Sequence, residues 1–201
     1  RELDQPLART AVPLDARTEI VRTRETNLGN MIADIMRGRT GADIALMNGG
    51  GIRGNRLIPA GTLKRGDVFN VLPFPNVIVA VKLTGKELAR TLENGLSKLP
   101  DPDGRFLQVS GLTLRFDPKA SAGSRTREIK VGGQPLDPDK TYVVAVNDYM
   151  ASGKEGFDAL ARAPQVLGGE SGPPLSSSVV EWVEKAKEIS PAAEGRITPD
   201  G

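Results

Sequence analysis

The sequence contains no histidine and no cysteine. Imidazole and thiolate, the usual ligands of zinc, copper and iron, are therefore missing. So are the Ser-His-Asp and Cys-His nucleophile systems. A carboxylate-only magnesium or calcium site is compatible with the composition, but no EF-hand-like spacing of acids occurs. Long apolar runs are also absent, and none approaches the ~20 residues of a membrane span. Arg1 to Pro6 lead into no apolar stretch, so no signal peptide is expected there. A start at Arg rather than Met sets the expectation of a piece of something longer. Net charge is close to zero, with Lys+Arg 27 against Asp+Glu 25. That excludes a general pull toward nucleic acid polymers or membranes, so any anion site must be local. Aromatic residues make up only 4% of the chain, which makes each aromatic in a loop informative.

What is present suits one domain over residues 1–201, with 38% hydrophobic residues to build a core. Residues 1–25 read as an extended lead-in with a strand near 18–24. Thr26 or Asn27 caps a helix carrying Leu28, Met31, Ile32, Ile35 and Met36 at helical spacing, ended by Gly41. Asp43 to Met47 is a buried-strand pattern, and Asp67 to Leu72 and Val77 to Leu83 read as two further strands. Thr84-Gly85-Lys86-Glu87 is a capping box ahead of a helix with Leu88, Leu92 and Leu96 on one face. Phe106 to Val109 and Leu112 to Phe116 are strands broken at Ser110-Gly111. Arg125 to Val131 and Gln134 to Leu136 flank Gly132-Gly133 as a hairpin. Thr141 to Val146 is a β-branched strand, residues 147–157 a polar loop and residues 164–178 a surface stretch. Ser177 or Ser178 caps a last helix with Val179, Val180, Val183 and Ala186 inward. Strands and helices are interspersed without strict βαβ alternation, so the expected class is α+β, a mixed sheet with flanking helices.

Four stretches carry candidate chemistry. Asn48-Gly49-Gly50-Gly51-Ile52-Arg53 follows a strand directly. Its glycines let backbone approach a ligand and present N–H groups, and Arg53 offers a planar fork for phosphate or carboxylate. It is neither a P-loop nor a GxGxxG fingerprint, and a tight turn with a surface Arg is the plain alternative. Arg22 and Arg24, two apart on an expected strand, share a face and could hold an anion between them, or else pair with Glu19 and Glu25. Phe74 stands between Pro73 and Pro75, either held outward to stack on a base or folded into the core. In the loop 147–157, Tyr149 is a second aromatic, Glu155 can accept hydrogen bonds from sugar hydroxyls, and Phe157 reads as a core anchor. Two loop aromatics, one acid and an Arg/Gly stretch match the base, ribose and phosphate of a nucleotide.

Taken in order, ETNLGNMIADIMR, ADIALMNGGGIR, DVFNVLPFPN, LTGKEL, GRFLQVSGL and LDPDKTYVVAVNDYMASGKEGF resemble the C-terminal domain of the 5′-nucleotidase family. The resemblance spans roughly residues 15 to 197. It implies a two-domain, secreted or periplasmic hydrolase whose N-terminal metallophosphoesterase domain, absent from this chain, holds two divalent metal ions and the catalytic His-Asp pair. This chain would then contribute no catalytic or metal-ligating residue and hold no cofactor of its own. Phe74 and Tyr149 would sandwich the base, Glu155 would bind ribose, and Asn48, Gly50, Gly51, Arg53 and Arg22 would face the substrate and its phosphate. The expected partners are a nucleotide or nucleoside and the metal domain of the same parent chain, with a homodimer as a further expectation. Two departures stand out: the family's GGDGF is Gly153-Lys154-Glu155-Gly156-Phe157 here, and Tyr149 replaces a phenylalanine. The first keeps UDP-sugars and cyclic nucleotides open as substrates. A non-catalytic nucleotide-binding module is the reading from another class.

Overall fold

Apolar alternation along short strands and helical spacing between them decide which face each element covers. The computed structural model describes residues 2–201, and Arg1 lies outside the described residues. The lead-in is extended from Pro6, where strand β1 (Pro6–Thr10) pairs with a later strand, and β2 (Leu14–Asp15) follows it. Residues 18–24 differ from expectation. They hold a single helical turn, α1 (Thr18–Val21), because the Ile20 and Val21 N–H groups bond back to the Arg17 carbonyl and only Val21 is driven inside. Helix α2 (Asn27–Thr40) is capped by Thr26, whose hydroxyl accepts the Gly29 N–H at 2.9 Å. It ends at Gly41, whose φ of 67° closes the last turn in the left-handed region.

Strand β3 (Ile44–Asn48) is buried throughout and runs into a 3₁₀ turn at Gly49–Gly51. Strands β4 (Leu57–Ile58) and β5 (Gly61–Lys64) lead to α3 (Arg65–Val71), where a strand was expected. Asp67 accepts the Lys64 N–H at 2.8 Å at the start of this helix, and Val68 and Val71, three apart, both go inside. Burial on one helical face overrides the β preference of valine and phenylalanine there. Strand β6 (Ile78–Thr84) passes straight into α4 (Gly85–Leu96) through the expected capping box. Thr84 accepts the Glu87 N–H at 3.1 Å and Glu87 accepts the Thr84 N–H at 2.9 Å.

Strands β7 (Leu107–Ser110) and β8 (Leu112–Phe116) break at Gly111, and β9 (Thr126–Val131) and β10 (Gln134–Pro135) form the expected hairpin around Gly132 and Gly133. Strand β11 (Thr141–Asn147) ends in α5 (Asp148–Ala151), so the expected loop 147–157 is partly helical. Asn147 caps it, accepting the Met150 N–H at 2.8 Å. Helix α6 (Asp158–Arg162) and strand β12 (Gln165–Leu167) follow. The last helix, α7 (Leu175–Ala186), begins after Pro174 rather than at a serine cap. Ser178 lies inside its first turn, bonded to the Pro174 carbonyl, and Ala186 is exposed while Val179, Val180 and Val183 are buried. Strands β13 (Glu188–Ile189) and β14 (Ile197–Pro199) close the chain.

The fold is α+β. Its centre is a five-stranded mixed sheet in the order β12-β6-β11-β3-β7, with β11 parallel to β3 and the other neighbours antiparallel. Alternation splits the sheet between two cores. Ala45, Met47, Ile78 and Ala145 face α2, α3 and α7. Ile44, Leu46, Val79, Val81, Leu83, Val144 and Val146 face α4 and the four-stranded sheet β10-β9-β8-β14. Among the described residues no helix is long and apolar enough to cross a membrane.

Leu92 sits in the second core with 1% exposure, while Thr84 contributes only its cap. Leu92→Ala is expected to cost about 2–5 kcal/mol by urea denaturation, and Thr84→Ala about 1 kcal/mol. The reverse ranking would mean that α4 is held by its cap rather than by its apolar face.

Candidate functional site

Parallel pairing makes β3 and β11 end on the same edge of the central sheet. Antiparallel pairing makes β6 and β7 begin on that edge, with Asn48 opposite Leu107 and Asn147 opposite Ile78. The segments leading into and out of these strands therefore gather in one place. They enclose a cleft of about 620 Å³ lined by Arg22, Asn48, Gly50, Gly51, Arg53, Phe74, Tyr149 and Glu155, which are the eight residues assigned to the substrate from the sequence.

The two aromatic turns are tied by a reciprocal pair of bonds. The Val77 N–H donates to the Asp148 carboxylate at 3.1 Å, and the Asp148 N–H donates to the Val77 carbonyl at 3.1 Å. Phe74 and Tyr149 are about two-fifths exposed, while Phe157 is the expected core anchor at 1%. The Arg53 guanidinium lies 5.0 Å from the Phe74 ring centroid, and its Nε donates to the Gly50 carbonyl at 2.8 Å. It covers one face of Phe74, so a planar ligand must stack on the other face or displace it.

Two of the three glycines differ from the expected N–H cradle. The Gly49 N–H donates to the Phe106 carbonyl at 2.6 Å and the Gly50 N–H to the Gly104 carbonyl at 2.9 Å, so both are already paired. These glycines permit close backbone contact instead: a Cβ on Gly49 would stand 2.6 Å from the Val21 carbonyl oxygen, and one on Gly50 2.9 Å from Gly104 Cα. Asn48 is buried, and its Oδ1 accepts the Asn147 side-chain N–H at 2.8 Å, which turns the other half of its amide to the cleft.

Arg22 and Arg24 separate, contrary to the shared face of an extended strand. The chain bends out of α1 there, sending Arg22 into the cleft and Arg24, exposed, to another groove with Glu19, Ile20 and Thr23. Glu25 is engaged elsewhere, accepting from Asn30 and from the Glu194 and Arg196 N–H groups. The buried Nε of Arg22 has no hydrogen-bond partner, a donor without its acceptor.

Glu155 has φ 59°, in the left-handed region, and its carbonyl accepts from Asn94 Nδ2 at 3.0 Å. Its Oε1 accepts the Tyr149 hydroxyl at 3.0 Å, while Oε2 is buried beside Gly104 without a partner. Burial, then the hydrogen bond and negative charge of Glu155, raise the Tyr149 pKa above its ordinary value, so the phenol stays a donor. Lys154 is exposed and does not line the cleft.

Pro75, Asn76, Asp103, Gly104 and Arg105, none of which was given a role from the sequence, complete the wall. Burial pushes the Asp103 carboxyl up, but the Arg105 backbone and guanidinium hydrogen bonds, both at 3.0 Å, outweigh it and hold its pKa below the usual range. That pair is self-neutralised, leaving two guanidinium groups and one carboxylate to act on a guest. Only the pairing of β7 with β3 brings residues 103–105 here, and no local pattern signals it. Gln108 was also missed. Fully buried on β7, it accepts the Thr26 N–H and donates to the Val21 and Arg24 carbonyls at 2.8–3.0 Å, fixing the bend that aims Arg22. Among the described residues no group of three or more acids is gathered to hold a metal ion.

Gln108→Leu would leave those three backbone groups unpaired and is expected to lower stability by at least about 2 kcal/mol in chemical denaturation. Unchanged stability would mean that α1 and the Gly49 contact suffice to hold the bend.

A family model described as 5′-nucleotidase, C-terminal domain, matches residues 6–162. The chain is 38% identical over 198 residues to the trifunctional nucleotide phosphoesterase protein YfkN of Bacillus subtilis, covering 94% of this chain and 13% of that protein. It is 32% identical over 216 residues to mouse 5′-nucleotidase, covering 96% of this chain and 36% of that one. The crystal structure of a 5′-nucleotidase precursor from Thermus thermophilus superposes with a TM-score of 0.92 at 40% identity, over 98% of this chain and 40% of that one. The chain thus spans well under half the length of these relatives. Its sequence and its fold both show that it belongs to the 5′-nucleotidase C-terminal domain family.

Proposed function

We propose that this chain is the nucleotide-binding part of a two-domain, metal-dependent 5′-nucleotidase that releases nucleoside and phosphate. The observation that carries the reading is the convergence of five separate stretches of chain on one cleft. It combines two rings about two-fifths exposed, a carboxylate bonded through one oxygen to the Tyr149 phenol and a guanidinium with an unpaired N–H. Phe74 and Tyr149 hold the base by stacking, which is tolerant of base identity. Glu155 meets the ribose hydroxyls. Arg22 and Arg53 offset the phosphate charge, with the Asn48 amide as a neutral donor beside them.

Hydrolysis falls to the metal domain of the parent chain. The residues here do not fit a metal: imidazole is lacking, and the acids at the cleft are engaged with Arg105 and Tyr149. This chain therefore binds and orients, and is expected to hydrolyse nothing alone. A periplasmic or extracellular location belongs to the same proposal and rests on the family.

The test is calorimetric titration of the chain with adenosine, AMP, uridine and UDP-glucose. Phe74→Ala should weaken nucleoside binding by about 1–3 kcal/mol. Binding that is indifferent to Phe74 would sink the clamp. Arg53→Ala should reduce AMP affinity more than adenosine affinity, by about tenfold or more for the loss of a charge-assisted contact. Equal losses for both ligands would make Arg53 a support for the Gly50 turn and the Phe74 ring instead.

A further inference from the structure

Two side chains of the cleft, one of the exposed rings and the acid opposite the sugar in the proposed reading, touch each other. They are Tyr149 and Glu155, six residues apart on either side of the Gly153 turn. The Tyr149 hydroxyl donates to Glu155 Oε1 at 3.0 Å. The other oxygen, Oε2, is buried and unpaired; a Cβ on Gly104 would stand 3.1 Å from it. The backbone beneath it is held, with Glu155 at φ 59° and its carbonyl accepting from Asn94. The carboxylate is thus occupied on one oxygen and walled on the other.

We infer that the Tyr149 hydroxyl competes with the sugar of the ligand for Glu155, making this site weakly selective between ribose and 2′-deoxyribose. The inference rests on the cleft binding nucleosides as proposed above. A sugar hydroxyl gains Glu155 only by displacing the phenol. One charge-assisted hydrogen bond is then exchanged for another of the same kind, so its net value nearly cancels. A free carboxylate would face only water as competitor, and water is not held in place beside it as Tyr149 is. Unusually, then, the clamp and the sugar acceptor are one unit: the ring offers its face to the base while its hydroxyl restrains the acid.

The test is titration of the chain, Tyr149→Phe and Glu155→Asp with adenosine and with 2′-deoxyadenosine. Phenylalanine keeps the ring and removes the competitor. Aspartate keeps the charge, tolerates a left-handed backbone and shortens the side chain away from the phenol. The unchanged chain should bind the two nucleosides within about threefold, and each variant should raise the preference for adenosine by about tenfold. A ratio that stays constant in both variants while adenosine still binds overturns the inference and leaves the reading of the cleft standing. So does an equal loss for both nucleosides, the mark of a merely structural bond. Failure of every protein to bind either nucleoside at millimolar concentration overturns the reading of the cleft, and the inference with it.

Discussion

Strands β6 and β11 pair along their whole length, from Thr141 opposite Thr84 to Asn147 opposite Ile78. The meeting of the two aromatic turns follows from that register. Phe74 lies just before one strand and Tyr149 just after the other, and antiparallel pairing brings both to one edge. A slip of one residue would turn Val79, Val81, Val144 and Val146 out of the core they share. The same slip would pull Val77 away from Asp148, which locks the turns together. Core packing and the meeting of the two turns are thus specified by a single constraint, and Arg53 and Glu155 then only orient the rings that it brings together.

The sequence disclosed elements whose signals are local. Helices α2 and α4 announce themselves by apolar spacing and by caps made within one turn, and the Gly132-Gly133 hairpin by its two left-handed glycines. Elements decided by distant partners were hidden. Residues 18–24 hold adjacent apolar side chains that suit a strand, yet their carbonyls at Val21 and Arg24 are taken by Gln108 on β7, which secures them as a bend. Residues 67–72 carry β-preferring valines and a phenylalanine, but burial of Val68 and Val71 against other elements makes a helix of them. In each case the deciding contact comes from tens of residues away, where periodicity in a window cannot see it.

The cleft follows the same division. The eight residues assigned to the substrate from the sequence all line it, because they stand at strand ends and in turns that meet at one edge of the sheet, while Arg24 lies elsewhere. Their working relations were not legible. Asn48 depends on Asn147, Arg22 on Gln108, and Gly49 and Gly50 on the backbone they touch. Asp103 and Arg105 escaped notice because an Asp/Gly loop looks like any connection until β7 is placed beside β3.

Arg22 Nε and Glu155 Oε2 carry opposite charges, line one cleft and are both buried without a partner, yet they do not pair with each other. Each orphaned group costs about 1–3 kcal/mol. On the acid that cost stays, because Oε2 is shut in beside Gly104 and a guest meets Glu155 only at Oε1, where the Tyr149 hydroxyl already donates. On the arginine an anionic guest would supply the missing acceptor. An anion alone would answer only the arginine, and a neutral polyol would meet only the acid, in exchange for the phenol. A sugar phosphate would present both at once, and on the nucleotide reading proposed above its base would lie against the two exposed rings. The orphaned arginine, the acid beside its phenol and the exposed rings would then be answered by parts of a single molecule, which is the argument for a nucleotide over a simple anion or a free sugar.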